Sequence, residues 1–339
     1  MMKLIVDAFG GDHAPHEILL GCAQAQAELG VEILLSGDRK KIEKAAGEAS
    51  ISEAVSRMEI LDCPDALTME DDPTSVIRGK PQSSMAVGLR ALAEGKGDAF
   101  ASAGNSGALV VGATTLVKRI KGVKRVSFAP ILPKFQGFFM LSDGGANVDC
   151  RPDMLLQFGL MGSEYMKKVM KIENPRIGLA NVGTEAHKGD ELRHEAYALL
   201  KACPSINFVG NVEARDIPYD AADVVVCDGF TGNMMLKLYE GVAMAVMDKV
   251  KGVFQQSLKN KLAAAVVYQD LKVLKKSMDY NEYGGAPIMG ASRPVFKIHG
   301  SAKASTVKSA LRLTRDYAAS GITRDITRAV AEAAQKESE

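Results

Sequence analysis

The chain has 339 residues, 47% of them hydrophobic and 24% charged, with a formal net charge of +1 at pH 7. That length and apolar content describe a globular chain with a sizeable core. The balanced charge lacks the basic excess of a nucleic-acid binder, so no nucleic-acid partner is expected. Five cysteines (Cys22, Cys63, Cys150, Cys203, Cys227) are odd in number, scattered and without a CxxC, which argues against a disulfide framework or zinc knuckle and fits a reducing cytosol.

The start of the chain enters a strand at once (Lys3-Leu-Ile-Val6), so no signal peptide is expected. No apolar run approaches the ~20 residues needed to cross a bilayer. Strand and helix patterns then alternate. A strand at 4–6 leads through Asp7-Ala-Phe-Gly-Gly-Asp-His-Ala-Pro15 into a helix with Pro15 at its first position and Ile18, Leu19, Cys22 and Ala25 on its apolar face. A strand at 31–35, a helix at 39–49 and a strand at 58–61 follow. Residues 67–82 read as irregular, with Asp71-Asp-Pro73 and Gly79-Lys-Pro81 as breakers. A helix at 84–94, a strand to Gly104 and a helix to Val117 come next; 125–132 and 137–141 read as two strands in a possible hairpin. A long helix at 152–170 precedes further βα units.

The most informative of these units is Asp223-Val-Val-Val-Cys-Asp-Gly-Phe-Thr-Gly-Asn233. Three valines form a strand of the kind buried on both faces of a parallel sheet. A Gly-rich turn follows, then helical spacing from Asn233, an arrangement that aims N–H groups at one point and suits an anion. Similar strand ends occur at Ser102-Ala-Gly-Asn-Ser-Gly107, Asp143-Gly-Gly-Ala-Asn147, Asn181-Val-Gly183 and Gly210-Asn-Val-Glu213. Five such ends are expected to converge on one site in the crevice beyond the carboxyl ends of the strands. The βαβα order predicts an α/β fold: a layered, mostly parallel sheet with helices on both faces, as a single domain over 1–339 because no linker divides it.

Residues 249–279 break this rhythm. From Lys249 to Met278 seven lysines, among them Lys259 and Lys261, stand against the single acid Asp270, while Leu258, Leu262 and Val266 fall at helical spacing. A basic amphipathic helix pair with an apolar tip suits an anionic membrane surface; a dimer-interface or core-facing pair with solvated lysines suits the same pattern. A Gly-rich segment, Tyr283-Gly-Gly-Ala-Pro-Ile-Met-Gly290, a strand at 295–298 and two helices close the chain, with a fraying charged tail.

Familiar catalytic motifs are missing. There is no GxGxxG after the first strand, no Walker-A loop and no GxSxG elbow around Ser106. His13 and His16 have no matching acid-and-His partner, so no metal is expected. Cys227 closes an apolar strand and reads as a packed thiol rather than a nucleophile.

Taken together, Val6-Asp-Ala-Phe-Gly-Gly-Asp-His-Ala-Pro15, Ser83-Ser-Met85, Ser102-Ala-Gly-Asn-Ser-Gly-Ala108, Asp143-Gly-Gly-Ala-Asn-Val-Asp-Cys150, Gly210-Asn-Val-Glu213, Cys227-Asp-Gly-Phe-Thr-Gly-Asn233, Tyr283-Gly-Gly-Ala-Pro287 and His299-Gly-Ser301 give the chain a likeness that runs end to end. It resembles the bacterial fatty acyl-ACP:phosphate acyltransferases of phospholipid synthesis. Phe9 stands where that family usually has Met, and Gly144 where Leu is usual. The resemblance implies transfer of a long acyl group from acyl carrier protein to inorganic phosphate, giving acyl phosphate. It also implies an isocitrate/isopropylmalate dehydrogenase-like and phosphotransacetylase-like fold and a homodimer without cofactor. The protein would then be cytoplasmic, peripherally associated with the inner face of the cell membrane beside a glycerol-phosphate acyltransferase. A dehydrogenase or short-chain phosphotransacylase on the same fold, and a non-catalytic membrane scaffold, are the alternatives.

In such a reaction phosphate is itself the nucleophile, so catalysis reduces to positioning and oxyanion stabilisation. Gly104, Ser106 and Gly107, with Gly229, Thr231 and Gly232, are then the expected phosphate and oxyanion cradle. Asn105, Asn147, Asn181, Asn211 and Asn233 are the expected amide donors. His13 and His299 are candidate proton managers or phosphate partners. Lys188 and Lys303 are candidate counter-charges, although each also reads as a solvated lysine, as do Arg78 and Lys80. Asp7, Asp12 and Asp228 are read as orienting loops and capping helices. An acidic carrier protein needs a basic dock, for which Lys118, Arg119, Lys121, Lys124 and Arg125, or the 249–279 arm, is available.

Overall fold

The computed structural model describes residues 1–277 and 285–336. The end of the expected arm (278–279), Tyr283-Gly284 and the last three residues of the tail lie outside them. The strands are β1 (Met2–Asp7), β2 (Val31–Gly37), β3 (Glu59–Asp62), β4 (Ala99–Ser102), β5 (Ser127–Phe128), β6 (Ile131–Pro133), β7 (Phe138–Ser142), β8 (Arg176–Asn181), β9 (Asn207–Glu213), β10 (Val224–Val226), β11 (Gly285–Met289) and β12 (Val295–Ile298). The helices are α1 (His16–Leu29), α2 (Arg39–Glu48), α3 (Ser52–Ser56), α4 (Ser84–Ala93), α5 (Ser106–Gly112), α6 (Pro152–Lys168), α7 (Glu191–Ala202), α8 (Gly229–Gln255), α9 (Leu258–Val266), α10 (Tyr268–Ser277), α11 (Ala304–Ala319) and α12 (Ile322–Lys336). Pro15 caps α1 from outside rather than occupying its first turn.

The strands form two sheets instead of one. The larger has the order β3-β2-β1-β4-β12-β11-β5, the smaller β6-β7-β10-β8-β9. Pairing is parallel from β3 to β12 and from β7 to β9, and antiparallel at β12–β11, β11–β5 and β6–β7. The split begins at Pro130. The expected strand over 125–132 cannot run through a residue that has no N–H to give. Phe128 therefore pairs with Ile288 in the larger sheet, and Ile131 pairs with Met140 in the smaller. The hairpin expectation holds only for β6 and β7.

One apolar cluster spans both sheets. Leu4, Val6 and Phe296 from the first meet Met140, Ile177 and Val224 from the second, with Leu155 and Phe158 of α6 in the same cluster. The three valines of β10 are fully buried, as an interior parallel strand requires. This shared core brings the carboxyl ends of β1, β4 and β12 face to face with those of β7 and β10.

Candidate active site

A cleft of about 370 Å³ opens where the two sheets meet. From the larger sheet it receives Asp12 after β1, Ser106 after β4, and Lys297, His299 and Ser301 at the end of β12. From the smaller come Gly144 and Gly145 after β7, and Asn233, Leu236, Lys237 and Glu240 on α8. Phe128, Pro130, Ile131 and Leu132, the segment crossing between the sheets, make an apolar wall. A cleft with polar and charged side chains on one part of its lining and a hydrocarbon wall on another has room for a polar group joined to an apolar one.

Of the expected site residues, Ser106, Asn233 and His299 line this cleft. The others sit elsewhere or are already spoken for. Asn105 caps α5, its Oδ1 accepting from Ala108 N at 3.0 Å, while its Nδ2 donates to the carbonyls of Met69 and Asp71. Asn147 Nδ2 donates to Val126 O at 2.7 Å and Asp143 Oδ2 at 2.8 Å. Gly104 gives its N–H to Ser102 Oγ, which in turn donates to buried Asp7 at 2.6 Å. Burial raises the Asp7 carboxyl above the ordinary carboxylate range, against that hydrogen bond.

The N-terminus of α8 departs furthest from expectation. Asp228 caps it through Thr231 N at 2.9 Å, and Gly229 N donates to Asn147 O at 2.7 Å. Thr231 Oγ1 donates to Asp228 and accepts from Arg193 at 3.0 Å. Arg193 also ion-pairs with Asp228. A Cβ at Gly229 would meet Asn147 backbone at 2.5 Å, so small residues here serve close packing of loop on helix. The N–H groups of Gly229 and Thr231, read from sequence as an anion cradle, are satisfied by protein oxygens.

Two of the five expected strand ends lie away from the cleft for a topological reason. In the smaller sheet β8 and β9 sit beyond β10 from β7. Asn181 Nδ2 donates to Lys188 O, and Asn211 Nδ2 to Glu185 O, so both amides brace the loop after β8. Lys188 is exposed on that loop. Gly210-Asn211 is not a turn but part of β9, where Asn211 pairs with Leu179. His13 is exposed just past Asp12, and Lys303 is exposed two residues beyond Ser301. Gly107 and Gly232 support the packing of their helices.

His299 keeps Nδ1 as an acceptor, since Ser301 N donates to it at 3.3 Å and Ser301 Oγ lies 2.9 Å away. The neutral ring therefore carries its proton on Nε2. Burial lowers its pKa below the ordinary histidine value, so the ring is neutral at pH 7. Cys227 is fully packed, its thiol donating to Asp143 O and pushed well up by burial, as an inert core cysteine should be.

Lys297 was not anticipated. It interrupts the apolar strand Val295-Phe-Lys-Ile298, its side chain is buried, and it lines the cleft. Its Nζ donates to Ala103 O at 3.0 Å and Ile298 O at 2.6 Å. Burial lowers its pKa to about 8. The signal in sequence was a lone cation inside a strand whose neighbours are all apolar, a place lysine avoids without a reason.

Comparison with known proteins identifies relatives across nearly the whole chain. Residues 2–324 match the family model "Fatty acid synthesis protein". The phosphate acyltransferase of Acetivibrio thermocellus is 48% identical over 311 residues, 91% of each chain. That of Oceanobacillus iheyensis is 44% identical over 330 residues, 97% of each. Among solved structures, a phosphotransacetylase from Streptococcus pyogenes shares the fold with a TM-score of 0.63 at 14% identity over 94% of each chain. A 4-hydroxythreonine-4-phosphate dehydrogenase from Salmonella typhimurium does so at 0.51 and 12%, covering 93% of this chain and 99% of its own.

Proposed function

We propose, for a chain that belongs to the fatty acid synthesis protein family and is a phosphate acyltransferase, that its donor is a long-chain acyl group on acyl carrier protein and its product an acyl phosphate. A phosphate oxygen attacks the thioester carbon, the tetrahedral oxyanion collapses, the C–S bond breaks, and the proton of the phosphate hydroxyl ends on the departing thiol. No acyl-enzyme is needed, in keeping with a buried, unactivated Cys227. Ser106, Asn233 and the Nε2–H of His299 are the proposed donors to phosphate and oxyanion. The observation that carries the reading is the cleft itself, where these groups share one lining with the apolar Phe128–Leu132 wall.

The surroundings support the rest of the reading. Helix α8 presents Phe230, Met234, Leu238 and Val242 to solvent at four-residue spacing, an apolar stripe suited to a second copy in a homodimer. In α9, Leu258, Leu262 and Val266 are 76%, 63% and 86% exposed beside Lys259 and Lys261, which suits the surface of an anionic membrane on the cytoplasmic side, near a glycerol-phosphate acyltransferase that consumes the product. Among the described residues no helix is long and apolar enough to cross a membrane. Lys118, Arg119, Lys121 and Arg125 are exposed and suit an acidic carrier protein.

The test is to incubate the protein with palmitoyl-acyl carrier protein and inorganic phosphate, with acetyl-coenzyme A as the competing donor, and to follow acyl phosphate. Palmitoyl phosphate is the expected product. Turnover of acetyl-coenzyme A alone would instead establish the short-chain phosphotransacylase.

A further inference from the structure

The fold holds Lys297 at a desolvation cost that a neutral side chain would avoid. Val295, Phe296 and Ile298 around it are buried, and two of its three N–H donors go to the carbonyls of Ala103 and Ile298. Carbonyl oxygens fix an ammonium without neutralising it. Among the described residues, no carboxylate reaches Nζ within ion-pair distance, the neighbouring cleft cation Lys237 being the one paired, to Glu240 at 3.2 Å. We propose that Lys297 is the substrate-binding residue that takes the charge of inorganic phosphate, its remaining N–H given to a phosphate oxygen while Ala103 and Ile298 hold it in the cleft. This rests on the acyl-transfer reading above and adds to it the residue that selects the anion.

The electrostatic setting agrees. Burial lowers the group to about 8, while Asp12 and Asp7 on the β1 side raise it and Lys237 on α8 lowers it. His299 follows Lys297 by two residues, is neutral at pH 7 and shares the cleft, as does Glu240. At neutral pH the ammonium is therefore mostly protonated, and a dianion beside it favours the charged form further.

Calorimetric titration of inorganic phosphate into the whole protein, without acyl donor, tests this. Wild type, Lys297→Met and Lys297→Arg are compared at about pH 7.5 and about pH 9.5, where phosphate stays chiefly dianionic. Wild-type binding should weaken roughly tenfold at the higher pH. Lys297→Met should bind about tenfold to a hundredfold more weakly at the lower pH and show no further change. Lys297→Arg should keep binding and lose the pH dependence. Equal binding by wild type and Lys297→Met overturns the proposal. So does a wild-type affinity that is flat with pH, an outcome that needs no variant to fold. Acyl phosphate formation is read separately. Turnover with an unchanged phosphate KM in Lys297→Met removes the assignment but leaves the activity, whereas Lys297-dependent binding without acyl transfer removes the activity but leaves the assignment.

Discussion

A Cβ on Gly232 would lie 1.8 Å from the backbone oxygen of Asp143. The first turn of α8 is thus pressed against the loop after β7, and Asn233 is delivered to the cleft beside Gly145. Gly232→Ala must drive helix and loop apart, because the obstructing atom is backbone and has no rotamer to yield. The variant should lose about 3 kcal/mol of stability and acyl-transfer activity with it. Thermal unfolding and turnover at matched folded fraction check this; a midpoint equal to wild type would show that the loop gives way at no cost.

Asn105 and Asn233 should separate under mutation, although both follow a Gly-rich strand end. Asn105 spends its side chain on Ala108 N and on the carbonyls of Met69 and Asp71. Asn105→Ala removes a cap and strands those acceptors, lowering stability by about 1–2 kcal/mol. Its kcat per folded molecule should stay close to wild type. Asn233→Ala should leave the unfolding midpoint within a degree or so and lower kcat/KM by about tenfold or more. The two effects exchanged between the variants would reverse the assignment.

The difference between these asparagines explains what could be read from the chain and what could not. The all-apolar run of β10, the alternation of strands and helices, and the Gly-rich ends of β4, β7 and β10 are local signals, and local periodicity carries them. Sheet order is not local. Nothing near Asn181 or Asn211 reveals that β8 and β9 stack beyond β10 from the cleft, nor does the 125–132 segment reveal that Pro130 sends its halves into different sheets. The same holds for donors. A Gly-rich turn before a helix offers N–H groups, but whether Asp228 and the carbonyl of Asn147 claim them first depends on which loop the glycines admit. Lys297 was hidden for the opposite reason: its meaning lies in its burial, which a strand pattern with one charge understates.

Lys297 also sets a pH dependence of stability. Its pKa is lowered on folding from 10.5 to about 8, so between those values the unfolded chain binds more protons than the folded one. Stability from this group is therefore fully present above pH 10.5, falls as pH drops, and is lost below about pH 8, a span of roughly 3 kcal/mol at most. Other groups titrate in the same window, so the difference between wild type and Lys297→Met is the informative quantity. Wild type should gain stability relative to the variant as pH rises from 8 toward 10.5. Parallel denaturant-unfolding profiles for the two proteins would show that the lysine is solvated in the folded state.

The arm makes a prediction that depends on packing alone. Leu262 in α9 is 63% exposed, and no residue of that helix is buried, so Leu262→Glu should leave the folded core untouched. On vesicles containing an anionic phospholipid, sedimentation of the protein should fall by about tenfold, because the substitution replaces hydrophobic insertion with a desolvated carboxylate. Activity on soluble acyl carrier protein should be retained. Unchanged sedimentation would mean the lysines hold the protein at the surface without insertion, or that this face meets protein instead.

Carrier docking is tested where the cations are exposed and not in the cleft. Lys124 is tied to Asp153 and Arg119 donates to the Lys124 carbonyl, which leaves Lys118, Lys121 and Arg125, all exposed, as the more accessible cations of that cluster. A Lys121→Glu and Arg125→Glu double variant should raise KM for acyl-acyl carrier protein by about tenfold while leaving KM for phosphate unchanged. The wild-type KM should rise with ionic strength, and the variant's should be nearly flat, since surface attraction of this kind is screened within about 10 Å at moderate salt. An equal salt dependence in both proteins would move the carrier's dock to the lysines of α9 and its neighbours, where the same reversal at Lys259 and Lys261 would then produce the effect.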